Sequence, residues 1–358
     1  MSVDLVGSTA FKAKHRDRRE GNEPYPVWLN RTRSFYRQFP QILSERYGGY
    51  LGAFEGHASF ADRSPKVWKT IGDEIIFCIR ITCLEHLACC LLAFTKALSA
   101  YGELINDQEP ELDVKGSAWV ASFPAPNATV ASASRLSLEP SSSIVGDQLG
   151  EDDEKRADVT PGDYDFLGKQ IDTGFRISKF AQRHELALSI DLVWLLTLLK
   201  HLNLIDFQFT YRGKEVLKGV IAGVPYPVIT VQTERSVARR ELDALERAVA
   251  GISFAEHIGL RNYTHMFMMQ NDIEIPIIAL HRETYSRDEL PQCYKDLEAA
   301  WDIGEKEDAE RQKSNQEAGQ FIDPLPASNQ TVEGPENIDE INIAIDKLVD
   351  KFWSKGPI

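Results

Sequence analysis

Apolar residues recur at strand and helix intervals through the first 120 positions of the chain. Short apolar runs alternate with stretches in which apolar side chains return every three or four residues, and Gly48-Gly49 is predicted to end the first long helix. The predicted elements are a strand over Val3–Val6, a helix over Val27–Tyr47, hairpin strands over Tyr50–Phe54 and Val67–Ile81, a helix over Leu84–Tyr101 and a strand over Asp113–Ser122. This order predicts an α+β fold in which helices pack on an antiparallel or mixed sheet.

The composition changes between positions 124 and 161, where Ser, Pro and acidic residues predominate. We predict a surface insertion without regular structure, because such a composition buries too little apolar surface to order the chain. The elements predicted beyond it are a helix from Gly168 to about Arg183, a strand over Leu186–Ile190, a helix to about Leu202 and strand runs over Phe207–Arg212, Lys214–Val220 and Tyr226–Thr233. Positions 1–232 are therefore predicted to form one domain.

The remaining positions, 233–358, are predicted to form a C-terminal extension of helical and acidic character. Helical apolar periods occur over Glu241–Val249, Asp288–Ala300 and Ile338–Phe352, and an acidic stretch rich in Gln and Asn precedes the last of them. We interpret the extension as a cap on the preceding domain. A part in the association of subunits is the alternative.

Charge and cysteine content narrow the class of protein. The formal net charge of −14 over 358 residues opposes binding to a nucleic acid backbone or an anionic membrane. We expect the longest apolar stretches to be too short and too polar to span a bilayer, and we expect no signal peptide before the first strand. The five cysteines lack a metal-binding spacing and are expected to be reduced. These features predict a cytoplasmic protein without a nucleic acid or membrane partner.

Two short motifs each place an aspartate beside a glycine at the edge of an apolar run. They are VDLVGST, with Asp4, and WKTIGDEIIF, with Asp73. A sheet can present two such carboxylates to divalent metal ions, which indicates phosphoryl chemistry, although either motif alone usually marks a turn. A third segment, DFLGKQIDTGFRISKFA, supplies Asp165 and then Asp172 and Arg176 at helical spacing.

The three motifs together resemble, in kind and in order, the catalytic motifs of class III nucleotide cyclases. That family elaborates a ferredoxin-like sheet and uses two divalent ions, Mg²⁺ or Mn²⁺, in the attack of a ribose 3′ oxygen on the α-phosphate. The resemblance implies that Asp4 and Asp73 bridge the ions, with the backbone carbonyl of Leu5 as a further ligand. It also implies a homodimer, since each site of the family combines the metal aspartates of one subunit with the base-reading residues of the other.

The same resemblance assigns roles to five further side chains. Lys69 and Asp165 match the pair that reads the base. Arg176 matches the arginine that stabilises charge on the phosphates. Asp172 stands where family members typically carry an asparagine that orients the ribose, and a carboxylate accepts hydrogen bonds without donating them at neutral pH. Lys218, on a predicted late strand, matches the lysine that binds the terminal phosphates.

The identity of the base depends on two features. Lys69 with Asp165 offers one donor and one acceptor, which suits adenine, cytosine or uracil better than guanine. Tyr50, on the strand predicted before KTIGDE, would fill the space of a purine's second ring, although a core or interface role is its alternative.

The overall layout resembles the bacterial antiphage pyrimidine cyclases of the Pycsar type, whose cyclic UMP or cyclic CMP activates a separate effector. The expected activity is conversion of UTP to cyclic UMP. The alternatives are a cytidylate cyclase, an adenylate cyclase, and a catalytically inactive nucleotide-binding module.

Overall fold

The computed structural model describes residues 1–132, 151–251, 253–283 and 290–299. Its strands are β1 (Ser2–Val6), β2 (Lys66–Ile71), β3 (Glu74–Cys78), β4 (Asp113–Ala118), β5 (Ala128–Ala131), β6 (Tyr164–Leu167), β7 (Glu185–Leu188), β8 (Phe209–Glu215) and β9 (Tyr226–Gln232). Its helices are α1 (Ser8–Lys14), α2 (Val27–Leu51), α3 (Leu84–Gln108), α4 (Glu151–Val159), α5 (Lys169–Ile177), α6 (Ile190–His201), α7 (Val237–Ala250) and α8 (His257–Gln270). Residues 292–299 are also helical.

Seven of the strands form one mixed sheet in the order β2-β3-β1-β4-β7-β9-β8. Its neighbouring strands are antiparallel except for β4 and β7, which are parallel. Strands β5 and β6 pair separately as a small antiparallel sheet. The predicted α+β fold, a mixed sheet with helices packed on it, is confirmed.

One face of the sheet is apolar and carries the main core. The alternation of β1 turns Val3 and Leu5 toward this face, where they join Ile75 and Phe77 of β3. Helices α2 and α3 cover it with aromatic side chains, including the Phe39 ring, which packs 5.8 Å from the ring of Phe77. Burial of these side chains supplies most of the driving force for the fold.

The opposite face of the same strands is largely polar. Asp4 of β1 lies between Glu74 of β3 and Lys115 of β4 in the strand register. Near β2 a small apolar cluster covers this face, where Ile171 of α5 packs with Trp68 and Ile76. The sheet thus presents ionisable side chains beside the turn that joins β2 to β3.

The prediction that the longest apolar stretches are too short and too polar to span a bilayer does not hold for helix α3, which alone among the described helices has the length and composition to cross a membrane. Two-thirds of that stretch, 67%, is buried within the fold, where it packs against α2 and the sheet. Core packing therefore accounts for its apolar character. All five cysteines lie in the described ranges as free thiols, and three of them, Cys83, Cys89 and Cys90, are buried.

The structure corrects the prediction made around Gly48. Helix α2 continues through Gly48-Gly49 to Leu51, so the strand predicted over Tyr50–Phe54 is wrong. Two glycines cost a helix about 1 kcal/mol each relative to alanine, which burial of the helix's apolar face can offset. Tyr47 supplies part of that burial, and its hydroxyl donates a 2.5 Å hydrogen bond to the Phe60 carbonyl.

Three further predictions differ from the structure. The run Val67–Ile81 is split by a turn at Gly72 into β2 and β3, which form the actual hairpin. The insertion at 124–161 contains β5 and α4, so its predicted lack of regular structure is wrong for those residues, while positions 133–150 lie outside the described residues. The two strands predicted around Gly213 are one strand, β8. Helix α8, which packs on α6, was not predicted.

Candidate active site

The hairpin between β2 and β3 brings Asp73 beside Asp4. Gly72 adopts φ +64°, a conformation that suits glycine, and places Asp73 in the turn immediately before β3. The Leu5 N–H donates to the Asp73 carbonyl at 3.1 Å, and Asp4 pairs with Glu74 in the strand register. The backbone of Asp73 therefore lies against β1, next to the register partner of Asp4, and a site shared by the two aspartates stays a prediction.

Helix α1 supplies the neighbours of the Asp73 carboxylate. The Ser8 hydroxyl donates a hydrogen bond to Asp73 Oδ2, and Lys12 Nζ lies 4.0 Å from the same oxygen. Gly7 leads into the helix with φ +83°, and a Cβ there would overlap the carbonyl oxygen of Glu111. Only glycine fits this close approach, which fixes α1 beside the Asp73 turn.

Asp4 and Glu74 are the other two carboxylates near the Asp73 turn. Lys115 Nζ lies 3.1 Å from Asp4 Oδ2, and the Ser2 hydroxyl donates to Glu74 Oε1. Burial raises the pKa of the Glu74 carboxyl, and the charges of Asp4 and Asp73 raise it further, whereas the Ser2 hydrogen bond and Lys115 lower it. The Glu74 carboxylate thus interacts electrostatically with both aspartates and with Lys115.

A divalent cation is compatible with the donor atoms present. The described residues contain no group of three or more His, Cys, Asp or Glu side chains that could hold a metal. Mg²⁺ and Mn²⁺ do not need one, because such ions are commonly held by one or two carboxylates together with substrate phosphates and water. Asp4, Asp73 and the Leu5 carbonyl are oxygen donors of this kind, so the donor set fits.

Lys69, on the hairpin strand β2, contacts Asp165 of β6. Lys69 Nζ lies 2.5 Å from Asp165 Oδ1, although 96 residues separate them in the chain. The Lys69 ammonium also sits 4.0 Å from the centre of the Trp68 ring, and the Trp68 indole donates to the Tyr164 carbonyl at 3.0 Å. These contacts join β2 to β6 and hold the ion pair at a partly exposed position.

Helix α5 carries Asp172 and Arg176 on an exposed face, four residues apart. Its opposite face buries Ile171, Gly174 and Ile177. A Cβ at Gly174 would overlap the indole ring of Trp119, so the glycine lets the helix approach the sheet closely. Asp172 and Arg176 thus face away from the fold and are free to meet a ligand.

A buried polar network that the sequence did not reveal anchors the start of α5. The Gln170 amide nitrogen donates to Asp191 Oδ2 at 3.2 Å, and its oxygen accepts from the Ser122 N–H at 2.9 Å and the Asn127 amide at 2.6 Å. Burial raises the pKa of Asp191 to about 6, against hydrogen bonds from Ser189 and the Leu192 N–H. Polar residues scattered over 70 positions carry no local signal of such a network.

The structure places Tyr50 and Lys218 differently from the prediction. Tyr50 lies in the last turn of α2 and packs against the main core, so it is not on a strand beside β2. Burial raises its pKa, and Arg46 and Cys89 are its charged or ionisable neighbours. Lys218 lies in an exposed turn after β8, not on a strand. Neither residue joins the group formed by Asp4, Asp73 and Glu74.

No protein-family model and no curated protein matches the sequence. Among solved structures, the chain is similar to the adenylyl cyclase CyaB from P. aeruginosa, with 10% identity over 64% of this chain and 90% of that one, and a TM-score of 0.38. The guanylyl cyclase Cya2 shows 12% identity over 64% and 88% of the two chains, with a TM-score of 0.27. A bacterial light-regulated adenylyl cyclase shows 12% identity over 74% and 55%, with a TM-score of 0.30. Likenesses this weak do not establish a family, so the function is argued from the residues.

Proposed function

We propose that the chain is a nucleotide cyclase, which converts a nucleoside triphosphate to a 3′,5′-cyclic nucleotide and pyrophosphate. The observation that carries this proposal is the arrangement of one hairpin. Its turn brings Asp73 beside Asp4, and its first strand holds Lys69 against Asp165. One small element thus carries both a candidate metal site and a donor and acceptor pair suited to a base; in the proposed homodimer, each of them serves a different one of two equivalent sites.

In the proposed reaction the ribose 3′ oxygen forms a bond to the α-phosphorus, and the bond from that phosphorus to the β-phosphate oxygen breaks. The 3′ hydroxyl proton passes to solvent, and pyrophosphate leaves. Asp4, Asp73 and the Leu5 carbonyl would hold two divalent ions, Mn²⁺ or Mg²⁺. When bound, these ions supply acidity at the hydroxyl and neutralise charge on the phosphates.

Side chains of α5 and the turn after β8 complete the proposed site. Arg176 donates to the α-phosphate oxygens, where negative charge develops, and Asp172 accepts a hydrogen bond from a ribose hydroxyl. Lys218 neutralises the terminal phosphates. Asp172 and Arg176 are exposed in the single chain, which supports a homodimer in which they reach the metal aspartates of the second copy.

The base that we propose is uracil, with UTP as substrate and cyclic UMP as product. Lys69 can donate to O4 while Asp165 accepts from the N3 hydrogen. The antiphage role and the separate effector follow from the sequence resemblance to pyrimidine cyclases. The same pair also suits CTP.

ATP is the second candidate substrate. The position of Tyr50 in α2 favours it, because this side chain packs in the core and leaves room for a purine. Lys69 would then donate a hydrogen bond to N1 of adenine, while Asp165 would accept one from the adenine amino group.

A non-catalytic nucleotide-binding module is the candidate of another class. It is favoured by the internal partners of the two aspartates, since Asp4 pairs with Lys115 at 3.1 Å and Asp73 accepts from Ser8. Such partners would compensate the carboxylates without a metal ion.

The test incubates the purified full chain with each of the four ribonucleoside triphosphates and Mn²⁺, and identifies products by mass spectrometry. We expect cyclic UMP, and its loss in Asp4→Asn and in Asp73→Asn. Cyclic CMP or cyclic AMP as the main product would replace UTP by CTP or ATP. No cyclic product, together with nucleotide binding that both variants retain, would refute the cyclase proposal.

A further inference from the structure

Helix α7 has an apolar stripe that faces away from the fold. Leu242, Leu245 and Val249 are 64%, 66% and 91% exposed, and all three lie within the helix Val237–Ala250. A helix that packs on a globular protein ordinarily turns such a stripe inward. Helix α7 instead turns its apolar stripe toward solvent.

Polar contacts explain how α7 is held in this orientation. Arg247 is the buried residue of the helix; its Nε donates to Asp243 at 2.8 Å, and its guanidinium lies 3.7 Å from the buried Glu185 of β7. The Gln232 amide also donates to Asp243, at 2.9 Å, and the Arg247 guanidinium lies over the ring of Phe254. Asp243 and Arg247 therefore define the inner face, and the leucines are left outside.

The exposed apolar residues of α7 have the spacing by which two helices pair in a coiled coil, and we call this row of residues the seam. Ala238, Leu242, Leu245 and Val249 are separated by four, three and four positions, as in a heptad repeat. A membrane surface is a poor occupant, because the helix carries as many acidic as basic residues and the chain has a net charge of −14. We propose that the stripe pairs with α7 of a second copy of this chain.

The charges beside the seam favour an antiparallel pair. Leu242 of one copy then lies opposite Leu245 of the other, and Ala238 lies opposite Val249. Arg239 of one helix comes beside Glu246 of its mate, twice in a two-fold symmetric pair. A parallel pair would instead place Glu241 beside Glu246, two like charges.

The contact is small. A helix of 14 residues is about 21 Å long, and its seam falls short of the ~800 Å² per partner typical of stable interfaces. The α7 contact alone therefore gives only weak association. Where another surface already forms a dimer, the contact between α7 helices strengthens that dimer or links it to another. The proposal goes beyond the cyclase activity and does not rest on it.

The test is disulfide capture with the full chain. Leu242→Cys and Leu245→Cys chains are prepared separately, mixed at about 100 µM and oxidised mildly, and cross-linked peptides are identified by mass spectrometry. We expect the link between positions 242 and 245 to form at least fivefold more in the mixture than links between like chains in either variant alone. Wild type, with its native cysteines, and Ala244→Cys, at an exposed position of α7 outside the seam, set the background.

Other outcomes overturn the proposal. Like-chain links in each single variant that equal those in the mixture would indicate a parallel pair. Background yields throughout would show that α7 does not pair with its copy. In that case, protection of Leu245→Cys from a maleimide would show that other residues of the chain cover the stripe, and free labelling would show that it is bare. Thermal unfolding of each variant checks that the exposed substitutions leave the fold intact.

Discussion

Lys69 and Asp165 form an ion pair with 2.5 Å between Nζ and Oδ1, joining β2 to β6 across 96 residues. Their side chains are 31% and 41% exposed, so solvent screening limits the contribution of the pair to stability to about 0–1 kcal/mol. A base that enters between them would exchange one partner for another at little cost. The pair is therefore better placed to recognise a ligand than to stabilise the fold.

We expect Lys69→Met to lower kcat/KM for the preferred nucleotide by about 10- to 100-fold, the range for loss of a hydrogen bond to a charged group. The melting temperature should change little. Steady-state kinetics and thermal unfolding check both expectations. Lys66→Met is the matched control, because Lys66 lies on the same strand and bonds to the Val159 carbonyl rather than to Asp165. Equal losses in the two variants would contradict a base-reading role.

We expect Lys115→Met to bind Mn²⁺ about 3- to 10-fold more tightly than wild type. Lys115 is the internal partner of Asp4, at 3.1 Å, and competes with a cation for that carboxylate. The bound fraction can be measured by Mn²⁺ electron paramagnetic resonance without turnover. Lys179→Met is the control, since Lys179 borders the same small cavity as Asp4 and forms no ion pair with it among the described contacts. Unchanged affinity in Lys115→Met would contradict the prediction.

Asp191 should make stability depend on pH. Burial raises its pKa to about 6 in the folded protein from an ordinary value of 3.8. Between these values the folded state binds more protons than the unfolded state, so the contribution of Asp191 to the free energy of unfolding falls as the pH rises from about 4 to about 6. We expect Asp191→Asn to remove this fall, as measured by urea unfolding at several pH values. An identical pH profile in the variant would show that Asp191 is not the group responsible.

Gly48→Ala tests the continuation of α2. Gly48 lies inside the helix, and a Cβ there meets no atom within 4 Å. We expect a gain of about 0.5–1 kcal/mol in the free energy of unfolding, because alanine favours the helix and restricts the unfolded chain. Gly72→Ala is the contrast: its φ of +64° should make the same substitution destabilising. Destabilisation in both variants would argue against a helix at Gly48.

The sequence predicted the strands and helices whose local pattern and tertiary environment agree. Strand β1 and helix α3 followed from the apolar pattern, and the order of the predicted elements indicated an antiparallel or mixed sheet. It also singled out Asp4 with Asp73, and Lys69 with Asp165, as pairs expected to share a site. The structure places Lys69 in contact with Asp165, and the backbone of Asp73 against β1 beside Asp4. Their catalytic roles stay predictions.

Where local preference and tertiary packing disagree, the sequence was misleading. Gly48-Gly49 favours a helix end, yet burial of Tyr47 holds α2 together and moves Tyr50 from a strand into the helical layer. The stripe of α7 was predicted as a helix face, but its outward orientation depends on Arg247, Asp243 and Glu185.

The sequence by itself determined where most of the strands and helices of the sheet domain lie and which residues are candidates for the chemistry, because both depend on local spacing. The tertiary structure decided which of those residues meet, which helix faces are buried, and that the network of Gln170 and Asp191 anchors α5. The physical reason is that burial and long-range hydrogen bonds depend on residues distant in the chain, and their free energies exceed the local preferences that a sequence pattern records.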